Sequence, residues 1–199
     1  GIAENRRPSR RSLLMVSFLL LLCTGAVGAV AAQQTITDAN DLDKIRNDLG
    51  GDYVLTNDID MKNYNGNFEP IGANSDGERF IGTLDGQGNK IQNLVIDNNS
   101  RNVGLFAAAG TDSDDFSYPN TVIRDLSFIN ASVTGKAPTG VIIGITDDGQ
   151  STAGQFVNIT NVYVEGSVTG GPDGGFNSPE EGAGGLVGYA GANVNDVVI

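Results

Sequence analysis

One hexad returns four times along the chain, as Ile91-Gln-Asn-Leu-Val-Ile96, Ile123-Arg-Asp-Leu-Ser-Phe128, Ile159-Thr-Asn-Val-Tyr-Val164 and Val194-Asn-Asp-Val-Val-Ile199, with starts 32, 36 and 35 residues apart. Its first, fourth and sixth positions are always apolar and its third is always Asn or Asp. A repeat at this period constrains the fold more than composition does, because each copy buries its apolar side only by stacking on its neighbours. The second and third copies continue alike, into Ala131-Ser-Val-Thr-Gly135 and Gly166-Ser-Val-Thr-Gly170. The first three copies are each followed by a glycine-bearing apolar run: Val103-Gly-Leu-Phe106, Gly140-Val-Ile-Ile-Gly144 and Gly184-Gly-Leu-Val-Gly188.

These segments are short, rich in Val and Ile, and bounded by Gly, Asn, Asp and Pro, which marks strands. Leu126, Phe128 and Val133, or Val162, Val164 and Val168, fall at mostly even spacing and are expected to point inward. Equivalent positions then stack, each layer pairing its backbone with the next at ~4.8 Å. The expected fold is all-β, a right-handed parallel β-helix (β-solenoid). A β-sandwich would explain short strands but not the return of one hexad at near-constant spacing. The recurring Asn93, Asp125, Asn161 and Asp196 are expected to form one polar ladder at a bend of the coil.

Ahead of the repeats, Thr37 or Asp38 can cap a helix running through Leu49, with Leu42, Ile45 and Leu49 on one face and Gly50-Gly51 as its stop. Residues 33–52 thus read as a short N-terminal capping helix region over the first layer, which otherwise exposes an unpaired strand edge. Residues 53–199 read as the solenoid. Tyr53-Val-Leu-Thr-Asn-Asp-Ile-Asp60, Phe68-Glu-Pro-Ile-Gly72 and Phe80-Ile-Gly-Thr-Leu-Asp-Gly-Gln-Gly88 supply its first, less regular coils. The chain opens on Gly1 and stops at the end of the fourth hexad, so a solenoid truncated at its C-terminus, part of a longer chain continuing after Ile199, is the expectation.

Residues 1–32 have another character. Arg6, Arg7, Arg10 and Arg11 precede an uncharged run from Leu13 to Ala32 that ends in Ala29-Val-Ala-Ala32. This reads as an export signal peptide cut near Ala31 or Ala32, with Ser9-Arg-Arg-Ser-Leu-Leu14 similar to a twin-arginine signal. An uncleaved anchor is the rival, since the run is just long enough to span a bilayer. The expected destination is extracellular or the cell surface. Removing the segment leaves 8 basic and 23 acidic residues, and the whole chain already carries a net charge of −12. Such a surface suits high salt, where excess carboxylates stay hydrated, and equally an ordinary acidic secreted protein. The one cysteine, Cys23, falls within the signal, so disulfides contribute nothing to the exported part.

The ordered series Tyr53 to Asp60, Pro70-Ile-Gly72, Phe80-Ile-Gly82, Leu84-Asp-Gly-Gln-Gly88, Ile91-Gln-Asn-Leu94 and Val103-Gly-Leu-Phe106 resembles the front of GLUG-motif proteins, and Gly184-Gly-Leu-Val-Gly188 resembles a GLUG repeat core. The resemblance runs over about residues 40 to 199. It implies a secreted or surface-displayed, adhesin-like chain with no catalytic residues in the motif. The sequence departs from the pattern at Val141-Ile-Ile143, where Gly-Leu-Val is expected, and at Phe106-Ala107, where glycine often follows.

The chain has no histidine, which excludes Ser-His-Asp, Cys-His and HExxH chemistry within it. Its acidity excludes a nucleic-acid surface, which needs clustered Lys and Arg. Carboxylates remain. Asp58 and Asp60 alternate onto one face and are the candidate acid and base of a polysaccharide lyase or hydrolase; bend-holding carboxylates are the favoured reading. Asp112, Asp114 and Asp115, with Asp147-Asp-Gly149, place oxygen ligands in turns as Ca²⁺ requires, without EF-hand or nonapeptide spacing, and solvated acidic loops are the simpler reading. Asn98 and Asn130 stand in N-x-[ST] sequons open to glycosylation in a host that glycosylates exported proteins, and a third sequon, at Asn158, directly precedes a repeat strand. The expected function is a non-enzymatic, surface-associated repeat module, adhesive or a spacer, binding an extracellular glycan or protein multivalently. The alternative is a carbohydrate-active β-helix enzyme or the accessory domain of a larger one.

Overall fold

The computed structural model of the chain describes residues 32–73, 78–110, 120–146, 157–171, 183–190 and 194–195. The chain divides into two compact units, Gly1–Ala31 and Ala32–Ile199, and every element named below belongs to the second. The expected export signal, Ala32 apart, therefore lies outside the described residues, as do Asp112, Asp114, Asp115, the Asp147-Asp-Gly149 turn, Asp196 and Ile199.

The chain enters through β1 (Gln34–Ile36), turns through α1 (Ala39–Asp43) and a 3-10 turn (Lys44–Asn47), and continues into β2 (Asp52–Leu55) and β3 (Ile59–Asp60). A second 3-10 turn, Met61–Asn63, precedes β4 (Thr83–Asp85), β5 (Lys90–Gln92), β6 (Val95–Asp97) and β7 (Phe106–Ala108). Next come the long β8 (Thr121–Lys136), the short β9 (Thr139–Gly140) and β10 (Ile143–Ile145), and the long β11 (Val157–Gly171). The last are β12 (Ala183–Gly184), β13 (Val187–Tyr189) and β14 (Val194–Asn195).

The fold is all-β, and its sheets are parallel. The largest runs β1-β2-β4-β8-β11-β14, with β5 and β6 also on β8 and β3 on β5. Leu84 lies opposite Ile123, Ile91 opposite Phe128 and Ile96 opposite Val133, so β4, β5 and β6 lie end to end along β8. A second sheet aligns Phe106, Ile143 and Val187, and a third pairs β9 with β12. The three glycine-bearing apolar runs therefore pair with one another, and Val141-Ile-Ile143 keeps its place among them: Leu105 N donates to Val141 O, and Ile142 N to Leu186 O. Parallel neighbours need a crossover rather than a hairpin. In chain order the strands alternate between the sheets: β7 of the second sheet precedes β8 of the large one, and β9 and β10 precede β11. Glycine at these corners is a matter of room: a Cβ at Gly188 would lie 2.4 Å from Thr139 N, and one at Gly140 would lie 2.5 Å from Ile143 O.

The hexad's form follows from its bend. Ile123, Leu126, Phe128, Ala131 and Val133 are all buried on β8, so the apolar series advances by three, two, three and two residues. An extended strand cannot place residues three apart on one face. The extra residue is taken up by Asp125 and Asn130, which adopt left-handed φ of 51° and 55° and turn the strand while its apolar side stays inside. Asn93 and Asn161 do the same at 58° and 52°. Asn and Asp enter this region most readily among residues with a side chain. Below the bends, one apolar core runs from Ile36 to Val162, with Phe80 and Phe106 stacked at 4.1 Å.

The register corrects one expectation. Aligning hexads places Asn93, Asp125, Asn161 and Asp196 at one level. The second and third copies do coincide, Ile123 with Ile159 and Phe128 with Val164. Ile91, however, pairs with Phe128 rather than Ile123, so Asn93 stands level with Asn130. The reason lies in the sequence of β8, where Phe128-Ile-Asn-Ala-Ser-Val133 repeats the same pattern of apolar first, fourth and sixth positions around an Asn. β8 thus has two such bends, and the first hexad aligns with the second of them. The fourth hexad is displaced too, with Val194 opposite Val157 rather than Ile159.

The expected helix begins where predicted, with Asp38 Oδ1 accepting from Asn40 N and Asp41 N at 2.8 and 2.9 Å. Its α-helical part ends at Asp43, not Leu49, and continues as a 3-10 turn. Leu42 and Ile45 are buried and Leu49 packs against the same core. The strand β1, ahead of the helix, pairs in parallel with β2.

Candidate functional site

Each bend residue presents a side-chain amide or carboxylate to the next layer. Asn93 Nδ2 donates to Asp60 Oδ1 at 2.8 Å, and Asn130 Nδ2 donates to Asn93 Oδ1 at 2.8 Å. A second, separate ladder joins Asn161 Nδ2 to Asp125 Oδ1 at 2.7 Å. Both run the same way, each amide donating to the preceding layer, and both start on a carboxylate. The Asp60–Asn93–Asn130 ladder has no Asn continuing it on β11. There the register shifts between Val164 and Gly166, and a Cβ at Gly166 would lie 2.2 Å from Ala131 O.

The structure places Asp58 and Asp60 at donors of neighbouring layers. Asp58 Oδ1 accepts from Lys90 N at 2.9 Å, and Asp60 Oδ1 also accepts from Lys62 N at 3.0 Å. The Asn93 amide, then the Lys62 N–H, hold the Asp60 carboxyl below its ordinary range. A general acid needs the opposite shift. On β4, Asp85 is buried; it accepts from Gln87 N and Nε2 at 2.9 and 3.0 Å and from Arg124 Nε and Nη2 at 3.1 and 2.7 Å. Among the described residues no three His, Cys, Asp or Glu side chains gather as a metal site. Asn98 Nδ2 donates to Glu69 Oε2 at 2.6 Å, so both sequon amides, Asn98 and Asn130, are engaged by protein oxygens.

Sequence reasoning missed a groove beside the first ladder. It has a volume of about 220 Å³ and is lined by the buried Met61 and Phe68, the half-buried Tyr64 and Asn93, and the exposed Lys62 and Val95. Tyr64 meets Phe68 edge to face at 5.3 Å. Burial first, then the Asp43 carboxylate that its hydroxyl meets, push the Tyr64 hydroxyl above its ordinary value. Asp43 is itself held by Arg46 Nε at 3.0 Å, and Arg46 Nη2 donates to Glu69 O at 3.2 Å. The ring is thereby held from two sides. The one signal in the sequence is an aromatic pair, Tyr64 and Phe68, in the polar stretch Asn63-Tyr-Asn-Gly-Asn-Phe68.

The outward positions of the large sheet form rows across layers. Lys90, Ser127 and Tyr163 share one level, and Asp97, Thr134 and Thr169 another. Val95, Ser132 and Ser167 form the row bordering the groove, with Ser167 Oγ 3.5 Å from Ser132 Oγ. Among the described residues Val95 and Tyr163 are the large apolar side chains left in solvent, 59% and 52% exposed.

Comparison with curated proteins finds a likeness to a protein named Halomucin from Haloquadratum walsbyi (strain DSM 16790 / HBSQ001), 36% identical over 143 residues. The matched stretch is 68% of this chain and 1% of that protein, so the chain spans a very small part of the relative it matches. No family model matches the chain. No solved structure matches it.

Proposed function

We propose that the chain is an exported, non-enzymatic surface module, built as a right-handed parallel β-helix, that binds an extracellular glycan or protein through rows of exposed side chains. The observation that carries this reading is the outer face of β4–β6, β8 and β11, whose side chains stand in register from strand to strand, with Ser132 beside Ser167 and Thr134 beside Thr169. Contacts spaced at ~4.8 Å favour many weak interactions over one deep pocket, and affinity then comes from multivalency. The likeness to the relative named Halomucin supports a surface location, and the GLUG-like motifs support the same class. Asp58 and Asp60 hold bends in this reading, and α1 covers the start of the helix. No cofactor takes part.

The test is a glycan array and a surface-protein binding screen with the purified protein, followed by assay of every bound polysaccharide for new reducing or unsaturated ends. Binding without turnover is the expected result. Turnover lost in Asp58→Ala or Asp60→Ala would replace the module with the carbohydrate-active enzyme.

A further inference from the structure

We propose that the groove between residues 61–68 and the β5–β6 bend is a subsite for one neutral pyranose ring of a glycan. This rests on the glycan arm of the proposed function. The groove's volume of about 220 Å³ is below the roughly 300–1,000 Å³ of pockets for drug-sized ligands and suits a single ring. Its lining has the two characters a sugar requires. Tyr64, held against Phe68, and the exposed Val95 offer an apolar surface to the ring's C–H face. Asn93 offers an amide of fixed orientation to the hydroxyls. That amide has two N–H groups and an oxygen with two lone pairs, and the ladder uses one of each. Among the described residues the other N–H and lone pair have no partner, and a vicinal diol can take both.

Charge selects among glycans. Asp60 is part of the ladder, Asp43 and Glu69 stand behind Tyr64 through Arg46, and the chain carries −12 overall. Lys62 alone among the lining residues is cationic. A polyanionic sugar meets net repulsion there, and an apolar peptide side chain would desolvate the Asn93 amide without pairing it.

The experiment is a titration of the full chain, followed by ¹⁵N-resolved NMR, with the methyl glycosides of glucose, galactose and mannose and, for contrast, of glucuronic acid. Saturable shifts at Lys62, Tyr64, Asn93 and Val95 are expected with at least one neutral glycoside, at a Kd of about 1–10 mM. Val95→Glu obstructs the groove at an exposed position, and Asn93→Gly removes the amide at a left-handed φ that glycine accepts. Each is expected to weaken binding about tenfold or more. Absence of groove shifts with every neutral glycoside up to about 50 mM, or stronger binding of the glucuronide, overturns the subsite. Glycan binding on the array that survives both groove variants also overturns it, while the surface module stands. A blank array with no protein partner would overturn both.

Discussion

A bend residue here must do two things, enter the left-handed region and hand a hydrogen bond to the next layer. Asn161 does both, at φ 52° with its amide on Asp125. Replacing it separates the two. Asn161→Gly loses the amide but keeps the backbone and is expected to destabilise by about 1 kcal/mol or less. Asn161→Val forces a β-branched residue to positive φ and is expected to cost about 2–3 kcal/mol, measured by urea denaturation. Asp85 shows the other residue-scale risk. Its carboxylate is buried and receives four donors from Gln87 and Arg124, whereas the Arg124 side chain is 50% exposed. Asp85→Ala should destabilise by about 2–4 kcal/mol, and Arg124→Ala by less, because Gln87 still donates to the carboxylate left behind.

At the scale of the element, α1 depends on its first turn. Asp38→Ala removes the acceptor of two backbone N–H groups and should cost about 1 kcal/mol. The Lys44 ammonium, then the Thr37 hydroxyl and N–H, lower the Asp41 carboxyl from 3.8 to about 2. A carboxyl depressed in the folded state adds stability that is complete above its unfolded value and is lost as pH falls through the folded one. Melting temperatures should therefore drop as pH falls from about 4 towards 2, and Asp41→Asn should flatten that limb. Strand positions and their parallel stacking were legible from the hexad, because apolar residues at its first, fourth and sixth places admit few other arrangements. The register was not, because β8 carries the pattern twice, Phe128-Ile-Asn-Ala-Ser-Val133 overlapping the copy before it. Neither was β1, whose Gln34-Thr-Ile36 is too short to show alternation. The groove escaped for another reason: parallel pairing of β3 with β5 is what brings the Met61–Phe68 stretch beside Asn93.

The whole molecule carries twice as many acidic as basic residues, 24 against 12. Their mutual repulsion opposes compaction and is screened as the Debye length falls from about 30 Å at 0.01 M salt to about 3 Å at 1 M. The melting temperature should rise by several degrees over that range in NaCl, and a fall would show that specific ion pairs outweigh the net charge. The pairing of Ile123 with Ile159, 36 positions on, also bears on how a gene for such a chain can change. Residues 123–158 begin and end at equivalent levels of adjacent strands. An in-frame second copy of that stretch would set each Asn beside another Asn or Asp, and each apolar residue over another. Inside a paired strand an insertion of one residue would turn the core positions that follow it outward, whereas the connections already vary, Leu84 pairing 39 positions on with Ile123 and Ile123 36 positions on with Ile159. Slippage in whole units is thus the copying error this sequence tolerates, and a chain of this design can lengthen by inheritance alone, with no new interface to invent.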